Sequence, residues 1–167
     1  MKKIAINTKV MLPVLIGSLL SVLLFGAAMT ALLYGLAPGF TPLVAVPLVL
    51  LMGNDALVTS RMGVLGYHHA RRSHQQLYEY MLGNGASVKE SLSYFVLRSV
   101  TMTCAHSRWR WLAVAVLSLP LLLAVVLMSA LTLLEALLVL LGVMLVLVAA
   151  SVSALVAALC LYERLHV

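Results

Sequence analysis

Residues 12–36 read LPVLIGSLLSVLLFGAAMTALLYGL, an unbroken run from Leu12 to Leu36 without one charged side chain. At a rise of about 1.5 Å per residue, a helix of this length crosses a hydrocarbon core of about 30 Å with room to spare. The run is rich in Leu and Ala and shows no alternation of polar and apolar positions, so a membrane strand is a poor alternative. Working outward, three more stretches have the same character. One runs from Thr41 to Ser60, broken by Gly53, Asn54 and Asp55. Another runs from Trp111 to Leu131. The last runs from Leu133 to Tyr162, with Glu135 near its start. The expected fold is therefore all-α: one polytopic membrane helix bundle over residues 1–167, with about four transmembrane helices. Its spans fall at 12–36, 41–60, 111–131 and 133–162, and a polar segment, 61–110, separates the second from the third.

Composition agrees. Of 167 residues, 63% are hydrophobic and 10% are charged, and the mean hydropathy is +1.11. Soluble domains hold roughly 45–50% apolar and about 25% charged residues. These figures exclude an ordinary soluble globule, a disordered tail and a disulfide-stapled secreted domain.

The charges set an expected orientation. Lys2, Lys3 and Lys9 precede the first span, seven Lys and Arg lie between spans two and three, and Arg164 follows the fourth. The connections near Ala37–Phe40 and Thr132 carry no Lys or Arg. The positive-inside rule then places both termini and the middle segment in the cytoplasm. The formal charge of +6 reflects this topology and some attraction to anionic headgroups, and does not argue for nucleic acid. A cleaved signal peptide is the rival reading of the first span, from its basic start and the small residues Gly26, Ala27 and Ala28. The apolar run, however, outlasts a usual signal core of about 7–15 residues. Cys104 and Cys160 lack metal-site spacing, and a reducing cytoplasm disfavours a disulfide between them.

The middle segment is the informative one. Tyr67–Leu82 is expected to form an amphipathic helix, with Gly63 and Gly66 loosening the end of the span before it. Gly83-Asn84-Gly85 then breaks the chain, and Ser87 with Glu90 forms a capping box that starts the next helix. This helix–turn–helix reads either as an amphipathic hairpin packed under the bundle or as a docking element for a soluble partner.

The residues Glu79-Tyr80-Met81-Leu82-Gly83-Asn84-Gly85-Ala86-Ser87 resemble the Glu-x-x-x-x-Gly-Ala-Ser/Thr loop of ABC-transporter permeases. More narrowly, residues from about Val14 to Arg164 resemble the bacterial permease family of putative iron exporters, which includes plant aluminium-tolerance permeases. Pro47 with Gly53-Asn54, Leu65-Gly66, Gln75-Gln76, Gly85-Ala86-Ser87, Arg98 and Ser118-Leu119-Pro120 follow that family's order and spacing. Where the family continues past Leu-Pro with a Gly-Met-Met stretch, this chain has Leu121-Leu122-Leu123-Ala124-Val125, and it lacks the family's N-terminal spans. The resemblance implies a membrane subunit of an ABC transporter in the bacterial inner membrane. It implies metal or other ion export and a separate cytoplasmic ATPase carrying the ATP and Mg; four spans enclose little, so a homodimer or a second permease subunit is expected. Tyr78, Glu79, Met81, Leu82, Gly83, Gly85, Ala86 and Ser87 would meet that ATPase. The chain has no Gly-x-x-x-x-Gly-Lys-Ser/Thr motif, and so is not expected to be the ATPase itself or to need a cofactor.

Other candidates are sparser. Asp55 is the one acid well inside a span, where burying a charge is costly, so with Asn54 it is a candidate for a transport path. Its structural alternative is a bond to Thr59 one turn away. Glu135 is a candidate gate, or a helix cap with Thr132. His68, His69 and His74 lie beside Arg71 and Arg72, which disfavours a bound cation, so headgroup contact or a solvated face is expected there and no metal. Arg108, Trp109, Arg110 and Trp111 read as an interfacial anchor belt. No catalytic triad, carboxylate pair or zinc-protease motif is present, and an enzyme is not expected. Two other readings stay open: a non-transporting membrane adaptor or degenerate paralogue that keeps the docking loop, and a standalone small bundle.

Overall fold

The computed structural model describes residues 8–36, 42–129 and 132–166, and among them every regular element is a helix. Lys2, Lys3, the Ala37–Phe40 connection and Leu131 lie outside the described residues. The helices are α1 (Thr8–Leu36), α2 (Pro42–Ser73), α3 (Gln75–Gly83), α4 (Val88–Ser129) and α5 (Leu133–His166). Among the described residues, three segments are long and apolar enough to cross a membrane: Val10–Gly35, Ala45–Ser73 and Leu137–Leu165. The protein is thus an all-α membrane bundle, as its apolar runs predict. The fourth expected span, 111–131, falls in the second half of α4, helical through Ser129 with Leu112, Val116, Leu117 and Leu119 exposed, and is not one of these three.

α2 and α5 form the centre, with α1 on one side and α4 on the other. α1 runs antiparallel to α5, Gly17 meeting Ala158 at one end and Gly142 meeting Leu32 at the other. A Cβ on Gly17 would lie 2.8 Å from the backbone nitrogen of Ala158, so only glycine permits this approach. Small residues on α5 give the matching face, which is how membrane helices gain van der Waals contact where lipid is as apolar as Leu.

The middle segment differs from expectation in two ways. α2 does not end near Ser60 or loosen at Gly63 and Gly66; it continues to Ser73 and breaks only at His74. The reason is packing. Ser99 Oγ of α4 donates to the Gly63 carbonyl at 2.7 Å, and a Cβ on Gly63 would overlap the Leu155 side chain. These glycines admit neighbouring helices and do not release the chain. Second, residues 88–110 do not lie beneath the bundle. They are the first half of a 42-residue helix, about 63 Å long at 1.5 Å per residue, which climbs beside α2. The Gly83–Ser87 turn is where it was expected. Gly85 has φ +85°, a left-handed conformation that other residues adopt only with strain. The capping box forms as well: Glu90 Oε2 accepts from the Ser87 backbone N–H and hydroxyl, both at 2.8 Å. Those bonds, the backbone one first, hold the Glu90 carboxyl below its ordinary pKa.

Two apolar clusters build the core. One joins Met29 and Leu33 of α1, Ala45 and Leu48 of α2, and Val139 and Val143 of α5. The other joins Val14, Val64, Tyr67, Leu92, Phe95, Leu155 and their neighbours at the opposite end, where the His and Arg of α2 also lie. Between them, at mid-height, sits a polar layer.

Candidate functional site

Asp55 is the centre of that layer. It sits in α2 between Leu48 of one cluster and Val64 of the other, and only 2% of its surface is exposed. An ionised carboxylate at such a place needs counter-charge and donors, or it must take up a proton. The fold supplies both. Arg110 of α4 makes an ion pair with Oδ1 and also donates to the Asp55 backbone carbonyl at 3.2 Å. Trp111 Nε1 donates to Oδ2 at 3.0 Å, and Ser151 Oγ of α5 donates to the same oxygen at 2.6 Å. Three helices therefore converge on one carboxylate. Arg110 Nη2 also reaches Thr59 Oγ1 at 3.4 Å, standing where the Asp55–Thr59 bond was expected. A second polar contact ties α1 into the layer: Ser21 Oγ donates to the Ala150 carbonyl at 2.7 Å and lies 2.7 Å from Ser153 Oγ.

Arg110 and Trp111 thus turn inward, whereas the sequence places them in an anchor belt. Trp109 is 79% exposed, but beside Arg110 it stands at mid-height of the bundle and not at the level of an interfacial anchor. The signal for their role was available in the sequence. A lone acid in an apolar span calls for a counter-ion, and Arg110 lies at the head of the next apolar run.

The residues assigned to a transport path are not gathered. Asn54 is exposed while Asp55 beside it is buried. Glu135 lies on α5 well above Ser151, roughly 24 Å away at 1.5 Å per residue. It caps its helix, accepting from the Thr132 backbone N–H at 2.9 Å while its own N–H points to Thr132 Oγ1 at 3.4 Å.

The residues assigned to docking are contiguous. α3 has no fully buried residue and lies between α2 and α4, at the polar end of the bundle. Tyr78 and Met81 pack inward against the second cluster, with the Tyr78 ring 6.5 Å from that of Phe95. Tyr80 is 68% exposed, and Leu77, Glu79, Gly83, Gly85 and Ser87 are exposed with it. Leu82 and Ala86 are half-buried. One side of α3 is anchored and the other is presented. Among the described residues, no group of three His, Cys, Asp or Glu is placed to hold a metal ion.

Fold and site together define a membrane-embedded helical bundle with a mid-height charge cluster and an exposed short helix at its polar end. No protein-family model, curated protein or solved structure matches the chain.

Proposed function

We propose that this chain is a permease-like membrane subunit of an ABC-type transporter, with α3 and the Gly83–Ser87 turn docking a separate cytoplasmic ATPase. The observation that carries this reading is the geometry of α3. It is a short helix anchored by Tyr78 and Met81 and exposed along Tyr80, Leu77 and the glycine turn. A helix so held offers an apolar edge to a groove on a soluble partner. Its connection to α2 and α4 would pass a push from the partner to the long helices as rigid-body motion. In this reading the polar end faces the cytoplasm of a bacterial inner membrane, both termini lie on that side, and a second copy or a partner permease completes the assembly. Ion export is the finer expectation, carried by the resemblance of the loop and not by a gathered set of ligands.

One observation favours a second reading, that of a non-transporting adaptor. Both oxygens of Asp55 already have donors, and Asn54 and Glu135 lie apart from it. The test is affinity purification of the intact chain from its host membrane in mild detergent, with mass spectrometry of bound proteins. A stoichiometric ATPase carrying Gly-x-x-x-x-Gly-Lys-Ser/Thr is expected with the wild type and is lost in Gly85→Val, which strains the turn. Recovery of the chain alone contradicts docking and leaves a standalone bundle. Recovery of the ATPase without ion flux in reconstituted vesicles favours the adaptor.

A further inference from the structure

The polar end of the bundle holds a cavity of about 540 Å³ between the last turns of α2, the length of α3 and the end of α5. This is within the range of about 300–1,000 Å³ typical of small-molecule sites. Arg71 and Arg72 line it, and among the described residues neither guanidinium has a carboxylate partner. One acid, Glu79, shares the wall with the two arginines, so the lining keeps a net positive charge. Glu79 Oε1 accepts from Gln75 Nε2 at 2.9 Å, and Glu163 Oε1 accepts from the Tyr67 hydroxyl at 3.2 Å. Two contacts order part of the wall. Arg71 lies over the Tyr78 ring at 5.6 Å, and His68 Nδ1 lies 3.0 Å from the Tyr162 hydroxyl.

We propose that this cavity binds a phosphate group through Arg71 and Arg72. The guanidinium fork matches the oxygens of a phosphate and stays charged at every physiological pH. Stacking on Tyr78 holds Arg71 in place before the ligand arrives, which reduces the entropy lost on binding. Depth favours access from the bilayer as well as from water. Ala45–Ser73 and Leu137–Leu165 each hold 29 residues, about 43 Å of helix against a hydrocarbon core of about 30 Å. The excess puts the ends of α2 and α5 at headgroup level, where basic pockets between helices take anionic lipid heads. A phosphate there would bridge α2, α3 and α5 and fix the position of α3.

The proposal is tested on the full chain, purified in a neutral detergent without phosphate. Phenylglyoxal modifies arginine, and peptide mass spectrometry reads the rate at Arg71 and Arg72 against the exposed Arg61 and Arg108. The probes are phosphatidylglycerol in mixed micelles, phosphatidylcholine in the same micelles, and inorganic phosphate. Phosphatidylglycerol or inorganic phosphate is expected to slow labelling of Arg71 and Arg72 about fivefold or more and to leave Arg61 and Arg108 unchanged. Protection by phosphatidylglycerol alone assigns a lipid source, by inorganic phosphate alone a soluble one, and by both a site open to either. Equal slowing at all four arginines, or no slowing by either anionic probe, overturns the proposal. The variant Arg71→Gln/Arg72→Gln should weaken binding of the protecting probe about tenfold or more, read by native mass spectrometry. Unchanged binding contradicts the site. If that variant does not fold, the wild-type labelling decides the question.

Discussion

Asp55 and the Arg71–Arg72 pair are both charged groups on α2, about four and a half turns apart, and the protein treats them in opposite ways. Asp55 is sealed between two apolar clusters and has donors on both oxygens from two other helices. Arg71 and Arg72 line an open cavity and have no acid partner among the described residues. A buried, fully partnered charge holds helices in register, and its removal leaves an orphaned counter-ion. An unpaired charge at a polar end leaves the fold free of that dependence and is available to something outside the chain. The contrast separates what binds the bundle together from what the bundle presents.

The largest effect should come from splitting the interior cluster. Asp55→Ala leaves the Arg110 guanidinium without its carboxylate and should cost about 3–5 kcal/mol, read by unfolding in mild detergent. Adding Arg110→Met should recover much of that loss, because no unpaired charge then remains. If Asp55→Ala is as stable as the wild type, the cluster is not a structural hub and a transport role regains ground.

A smaller effect is expected between the two regions, at the start of α4. Ser87→Ala removes the cap and should cost about 1 kcal/mol. Glu90 sharpens this point through pH. Its carboxyl is held below the ordinary value by Ser87, so its contribution is present at neutral pH. That contribution is lost as the pH falls through the lowered value. Amide exchange at the first turn of α4 should therefore accelerate in acid in the wild type, and Glu90→Gln should flatten the dependence.

The smallest effect on stability should come from the cavity. Arg71→Gln/Arg72→Gln is expected to change unfolding by about 1 kcal/mol or less, mainly through the Arg71–Tyr78 stacking, since exposed charges without a carboxylate partner contribute little. A loss comparable to that of Asp55→Ala would erase the distinction between the two regions.

Much of this is legible in the sequence alone. The uncharged run Leu12–Leu36, the Gly83–Gly85 turn and both capping boxes are local signals, set by neighbours a few residues away, and each forms as read. The partners of Asp55 are long-range. Ser151 reads as one small residue among many on α5, and Arg110 with Trp111 reads as an anchor, because nothing local states which way α4 is rotated. Gly63 and Gly66 are ambiguous in the sequence for a related reason. A glycine in a helix signals either a break or a close neighbour, and only the position of α4 and α5 decides between them. The residues proposed for docking are legible as a loop pattern, but their division into an anchored and a presented side needs Phe95 in place.

The measurement that bears most directly on the proposed function is site-specific photo-crosslinking in the native membrane. One probe replaces Asn84, at the tip of the turn after α3, and another replaces Asn54, exposed on α2 within the span. The Asn84 probe is expected to capture an ATPase with a phosphate-binding Gly-Lys-Ser/Thr loop, while the Asn54 probe captures lipid or a neighbouring membrane helix. Lipid or self-adducts alone at Asn84 would contradict docking, and α3 would then be a surface element of the bundle without a docked partner.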